Sequence, residues 1–376
     1  MTVNQIPTPF YVVYEEKLRA NIELIKRVAN EANVEIIMAF KANALWRTFP
    51  IFREYEIGAT ASSLNELRLA REELCPKVHS YCPAYTEKTI GEYLDGSSHI
   101  TFNSLSQAQR FLPLVKERNG AVSAGLRVNP RCSVIETDLY NPALPGSRFG
   151  VSAEDMPQNL PDGIDGFHFH ALCESSADDL EKVLEAFEQQ FGRFLPLIKW
   201  VNMGGGHLMT RKGYDTDKLI NLLRNFKTRY PNLNVILEPG SAWTWRTGDL
   251  ITEVVDIVEN QGIKTAIIDV SFACHMPDTL EMPYQPIISE ASEGAQHSYR
   301  LGGNSCLSGD YVGDWQFAEP LQPGQRLTLE DMNHYTTVKT HMFNGISHPA
   351  IVLCRTNGQC ETLREFTYAD YKSRMS

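Results

Sequence analysis

Residues 35–46 read EIIMAFKANALW, an apolar run that ends in Lys41. A lysine delivered by a buried strand is partly desolvated, so its pKa falls and its free amine becomes a nucleophile. That is the group Schiff-base chemistry needs. A lysine solvated just past a strand would need no such account, so the other residues decide. His168 and His170 stand two apart in GFHFH, and on a strand both point the same way. A zinc site on this pair has no evident third ligand. VNMGGGH places Gly204, Gly205 and Gly206 after another apolar run. Such a turn can also offer backbone N–H groups to a phosphate. LEPGSAW places Glu238 before Pro-Gly at the end of a further run.

The elements that must position these residues follow a rhythm. VEIIMAF, EIGATAS, KVHSYC, HITFNS, AVSAGLRV, GIDGFHFH, IKWVNMG and LNVILEP are short β-rich runs between Val34 and Pro239. The stretches between them, such as SLNELRLAREEL and ADDLEKVLEAFEQQFGRFLPLI, carry apolar residues at helical spacing. Eight runs alternating with helices predict a (β/α)8 TIM barrel. Sites in such barrels lie at the C-terminal strand ends, which here carry Lys41, Arg127, His168, His170, the three glycines and Glu238. After about Leu250 the pattern changes. DLITEVVDIV, KTAIIDVS, HSYRLGG, QRLTLE, YTTVKTH and AIVLCR come with turn signals and no long helices, which predicts an antiparallel β-domain. The expected division is a barrel over 15–250 and a β-domain over 251–376, joined by the strand-like PFYVVY within 1–14.

The totals narrow the function. The 376 residues suffice for one large domain or two ordinary ones. The net charge of −11 argues against nucleic acid or an anionic membrane as partner and suits a cationic small substrate. The opening MTVNQIPTPFYVVY has no signal-peptide pattern, and no apolar run approaches membrane-spanning length. Eight scattered cysteines without a CxxC pair fit a reducing cytoplasm better than a disulfide framework.

FKANA resembles the lysine motif of the fold-type III pyridoxal-phosphate (PLP) enzymes, the alanine racemases and the ornithine, arginine and diaminopimelate decarboxylases. The resemblance implies that Lys41 holds PLP covalently. It implies that Gly204, Gly205, Gly206 and Gly240 meet the phosphate, that His170 stacks on the pyridine ring and that Glu238 pairs with the ring nitrogen. A carboxylate there keeps the ring protonated and able to accept electrons. Racemases of this fold use an arginine instead, so Glu238 speaks for decarboxylation. GGNSCLSGD resembles the family's cysteine loop, contributed by the second subunit of a homodimer, with Cys306 as a proton donor to Cα. DMNHYTTV resembles the segment that brings a tyrosine, here Tyr335, to the phosphate. FNGISHP resembles a stretch near the substrate. Arg127 and Arg148 match family positions, which implies a substrate contact for Arg127, although structural ion pairs would also account for both. ALCES departs from the family's glycine-serine after the second histidine. The motifs run in the family's order from TPFYVVY to FNGISHP, nearly the whole chain.

The far end of the site decides the substrate. Met282 and Leu307 stand where diaminopimelate decarboxylases place an arginine and a glutamate. A distal carboxylate would therefore meet no partner in a closed site. Asp278, Glu281 and Asp310 suit distal amines instead, and Leu307, Met282 and Trp243 suit a methylene tail. HMPDTLEMPYQP and CLSGD resemble the decarboxylases that act on carboxynorspermidine and carboxyspermidine, which implies a cationic polyamine amino acid as substrate. Another amino-acid decarboxylase of this fold and a non-catalytic PLP-binding protein are the alternatives.

Overall fold

The computed structural model describes residues 1–135 and 137–376. The chain forms two compact units: Asn21–Trp243, and Met1–Ala20 together with Thr244–Ser376.

The first unit is a closed parallel barrel. All eight expected runs are strands: Glu35–Ile36 with Met38–Ala39, then Ala59–Ala61, Val78–Tyr81, His99–Phe102, Ser123–Arg127, Gly166–His168, Trp200–Asn202 and Asn234–Leu237. The first strand is broken at Ile37. Its first half pairs with Asn234–Leu237 and its second with Ala59–Ala61, and this closes the ring. Helices alternate with the strands and start where the sequence provides caps. Ser63 accepts from the Glu66 N–H ahead of Leu64–Glu73, and Ser176 with Asp179 forms a capping box ahead of Ala177–Phe191. The latter helix buries Leu180, Val183, Leu184, Phe187 and Phe191, the stripe its spacing predicts.

The barrel interior is filled around Trp200. Its indole lies against Gly125 and Gly166, and a Cβ on Gly166 would stand 2.0 Å from Trp200 Cδ2. Glycine usually weakens a strand; at these two positions it makes room for the ring. Trp200 Nε1 donates to Ser123 Oγ at 2.9 Å, and the His99 ring meets the indole edge-on and stacks on His79, the two histidines 4.1 Å apart.

The second unit is built on a mixed sheet. Phe10–Tyr14 pairs antiparallel with Gly248–Asn260 and parallel with Ala350–Cys354. Ile263–Ile268 pairs parallel with His297–Gly302. The expectation of a purely antiparallel domain is corrected by these two parallel pairings. Tyr311–Phe317 and Cys360–Arg364 are further strands that the sequence reading missed. YTTVKTH is not a strand: Tyr335 adopts φ +54° and starts a helical turn over Thr336–Lys339. The cysteines are also not all free. Cys354 and Cys360 face each other across a hairpin and form a disulfide, while six others are free thiols. Among the described residues no helix is long and apolar enough to cross a membrane.

The Trp200 contact sets a stability test. Gly166→Ala overpacks the barrel interior and should cost about 1–3 kcal/mol. Gly91→Ala, whose added Cβ meets nothing closer than 3.9 Å, should cost nothing. Thermal denaturation should show a lower midpoint for the first variant alone; equal midpoints would mean that the indole moves aside freely.

Candidate active site

A cavity of about 670 Å³ opens at the C-terminal ends of the barrel strands. Lys41, Arg127, His168, His170, Gly205 and Glu238 all line it. The strand ends thus converge the residues that the sequence scatters over some two hundred positions.

Lys41 follows the broken first strand, and its side chain faces the cavity rather than packed protein. The surrounding barrel encloses it, although the side chain stays open to the cavity. This burial, with the charge of Arg127, lowers its pKa, and Glu238 opposes only in part. Lys41 Nζ lies 3.4 Å from His170 Nε2. The other nitrogen of that ring, Nδ1, accepts the Gly205 N–H at 2.9 Å. Burial above all keeps His170 neutral at pH 7. A neutral ring that accepts at Nδ1 carries its proton on Nε2. Nε2–H therefore faces Lys41 Nζ, and the amine can accept it only when unprotonated. The hydrogen-bond pattern suits a free amine, and the downward shift of the lysine works in the same direction.

Glu238 is buried at the tip of the last strand. Burial alone would raise its carboxyl, but His168 above all, then His79 and the Asn202 amide, outweigh it and hold the group well below the usual carboxylate range. Asn202 Nδ2 donates to Oε1 at 2.6 Å and His168 Nε2 lies 3.3 Å from Oε2. His168 is itself held neutral by burial, so both partners are neutral donors. Among the described residues no lysine or arginine nitrogen comes within 4.0 Å of Glu238. The mouth thus keeps a buried anion with no cation against it.

Arg127 has no carboxylate partner among the described residues either. It lies between the rings of Tyr81 and Phe149, 4.7 and 4.5 Å from their centroids, and donates to the His170 carbonyl at 3.3 Å. An ion-pair role for this arginine is therefore set aside. Exposed Arg148 also lines the cavity and stacks on Phe149.

The three glycines are required by close backbone approach. A Cβ on Gly204 would meet the Phe169 carbonyl at 2.4 Å, one on Gly205 the Glu238 carbonyl at 2.4 Å, and one on Gly206 the Leu172 carbonyl at 2.2 Å. Their N–H groups are not equally free. Gly204 donates to Asn202 Oδ1 and Gly205 to His170. Among the described residues the N–H groups of Gly206 and Gly240 find no partner.

Apart from Trp243, the remaining expected residues belong to the second unit. Cys306 is an exposed free thiol whose N–H donates to Asn344 Oδ1 at 2.8 Å, so the cysteine loop and the FNG turn are tied together. Asp310 is buried and accepts from Ala273 N at 2.9 Å and Ser305 Oγ at 2.6 Å, which makes it a brace of that loop. Asp278 and Glu281 both bind Lys339. All three acids expected to hold substrate amines thus have partners in their own unit. Trp243 is fully buried against Phe52, in the core and not along a substrate path.

Sequence reasoning missed several residues. Tyr81 is a plain strand residue with no motif around it, and Asn202, inside VNMGGGH, was passed over for the glycines that follow it. The long segment between Arg127 and Gly166 has no helical or strand period, yet residues 138–149 supply half of the cavity wall. Among the described residues no group of three or more His, Cys, Asp or Glu could hold a metal ion.

A family model described as "Pyridoxal-dependent decarboxylase, C-terminal sheet domain" matches residues 10–333. A carboxyaminopropylagmatine decarboxylase from Synechocystis is 48% identical over 375 residues, covering 99% of this chain and 96% of its own. A carboxynorspermidine/carboxyspermidine decarboxylase from Campylobacter jejuni is 41% identical, with both chains covered in full. The crystal structure of a carboxynorspermidine decarboxylase from Campylobacter jejuni, complexed with norspermidine, superposes with a TM-score of 0.91 at 40% identity. It covers 98% of this chain and 100% of that one.

The buried histidines of the barrel give a pH prediction. Burial, then the charge of His99, lowers His79 to about 3, and burial lowers His207 to about 4. Unfolded histidine titrates near 6.5. Below that pH the unfolded chain takes up protons that the folded barrel refuses, so this stability is complete above about 6.5 and is lost as pH falls toward 4 and then 3. Each such histidine contributes a slope of about 1.4 kcal/mol per pH unit. The thermal midpoint should fall steadily from pH 6.5 to 4.5, and His207→Gln should flatten that fall. An unchanged slope in the variant would assign it to other groups.

Proposed function

We propose that this chain, which belongs to the pyridoxal-dependent decarboxylases, removes the α-carboxylate from a carboxylated polyamine such as carboxynorspermidine or carboxyspermidine. The observation that carries the proposal is the pairing at the barrel mouth of an amine whose pKa is lowered with a buried carboxylate that no lysine or arginine pairs within 4.0 Å. The named activities of the relatives support the substrate class.

The residues fit PLP. A protonated ring nitrogen is the cation that Glu238 lacks, and the unpartnered Gly206 and Gly240 N–H groups suit a phosphate. When bound, PLP supplies a ring that accepts the electron pair left as the Cα–carboxylate bond breaks. The chain's own residues do the rest. Lys41 provides the amine that holds the cofactor and recovers it when the product leaves. Glu238, ionised at neutral pH, keeps a proton on the ring nitrogen. His170, fixed by Gly205, is assigned to flank the ring. Of the glycines expected to meet phosphate, Gly204 and Gly205 act by letting the backbones approach, and Gly206 is the free donor. Arg127, with no internal carboxylate, is assigned to an anionic group of the substrate. Tyr335 is assigned to the phosphate, and its left-handed backbone is a strained conformation of the kind found at functional sites.

Cys306 is the proposed donor of a proton to Cα, delivered to the barrel of a partner protomer. Supporting a homodimer are the exposed apolar side chains of Leu307, Phe343, Tyr311 and Met282 on the second unit. A PLP-binding barrel over 15–250 and a β-domain over 251–376 complete the proposal. So does a cytoplasmic setting, supported by six free thiols against one hairpin disulfide.

The Synechocystis relative favours a second substrate, carboxyaminopropylagmatine, whose tail ends in a guanidinium. Both substrates join an amino-acid head to a long tail with a remote cation. The test is amine release by PLP-loaded protein, with Lys41→Ala as the blank. The panel holds carboxynorspermidine, carboxyspermidine, carboxyaminopropylagmatine, diaminopimelate, ornithine and arginine. Turnover should be confined to the three carboxylated polyamines; preference for any of the short amino acids would contradict the proposal.

A further inference from the structure

We infer that Asp138 holds the remote cation of the substrate, and this rests on the substrate class proposed above. Among the described residues that line the cavity, Asp138 and Glu238 alone carry carboxylates. Glu238 is engaged at the strand tip by Asn202 and His168. Asp138 has neither a side-chain hydrogen bond nor an ion pair among the described residues. The three acids that the sequence offered for this role are committed elsewhere, Asp278 and Glu281 to Lys339 and Asp310 to its own loop.

The segment that carries Asp138 is braced at both ends. Val128 bridges Val151, and the Asn129 amide reaches the carbonyls of Pro142 and Phe149 at 3.2 and 3.3 Å. The Asn141 amide bonds the Ile135 carbonyl at 3.2 Å, and the Asn103 amide the Arg148 carbonyl at 2.7 Å. The turn Asp138–Tyr140 is thereby held on the cavity wall. Beside it on the same wall lie Leu139, Pro142, Leu144 and Pro145, and Leu139 is 68% exposed, an apolar side chain without cover. One loop thus presents apolar side chains and an exposed, unpaired anion to the same cavity. That combination matches a methylene tail that ends in an ammonium or guanidinium. At the strand ends the wall carries Lys41 and Arg127, which suit the anionic head.

The experiment compares wild type, Asp138→Asn and Asp138→Glu on carboxynorspermidine and on its terminally N-acetylated derivative, which lacks the remote charge. One charge-assisted hydrogen bond predicts about a tenfold or larger loss in kcat/KM for Asp138→Asn, carried mainly by KM. Acetylation should cost wild type a similar factor and cost Asp138→Asn nothing further, because both changes remove the same interaction. Asp138→Glu should recover most of the loss. An unchanged KM in Asp138→Asn, or losses that multiply independently, would overturn the assignment while leaving the substrate class intact. Wild-type inactivity on every carboxylated polyamine would instead overturn the substrate class, and this assignment with it.

Discussion

Burying a carboxylate costs several kcal/mol of hydration unless its oxygens find donors. Glu238 meets that demand with two neutral donors, the Asn202 amide and the His168 imidazole. Asn202 comes from the end of the adjacent barrel strand and His168 from the end of the one beyond it, so the parallel register of three strands sets the distances. Neutral donors stabilise the anion without cancelling its charge. The charge stays available at the cavity wall, and the rest of the mouth is arranged around it.

The same logic runs in reverse at Lys41. Burial and the Arg127 charge lower the pKa of the amine, and His170 presents an N–H that only a free amine can accept. Arg127 can exert that influence because aromatic rings, and not a carboxylate, hold it in place. The glycines at 204–206 serve this arrangement as much as any ligand. They allow the loop to touch the 169–172 and 238 backbones, and Gly205 then fixes the tautomer of His170.

The barrel was legible because each strand is a short apolar run bounded by an amphipathic helix, and each candidate side chain sits at a run's end. The second unit was less so. YTTVKTH has the β-branched content of a strand, yet Tyr335 turns left-handed and ends any extension. YVGDWQF was missed because glycine and aspartate interrupt its apolar pattern, while its pairing with His297–Gly302 supplies what the pattern lacks. The acids at 278 and 281 looked free in sequence because their partner, Lys339, lies about sixty residues away. Asp138 escaped notice for a related reason: its segment has no period, and only the folded loop shows that it lines the cavity.

The central claim is that Glu238 is an anion poised for a protonated ring nitrogen. The most direct measurement is the nitrogen NMR spectrum of the protein loaded with PLP labelled at the ring nitrogen, in wild type and in Glu238→Gln. A protonated nitrogen at neutral pH in wild type, lost in the variant, is the predicted result. An unprotonated nitrogen in wild type would contradict the account and reduce Glu238 to a structural brace of the barrel mouth.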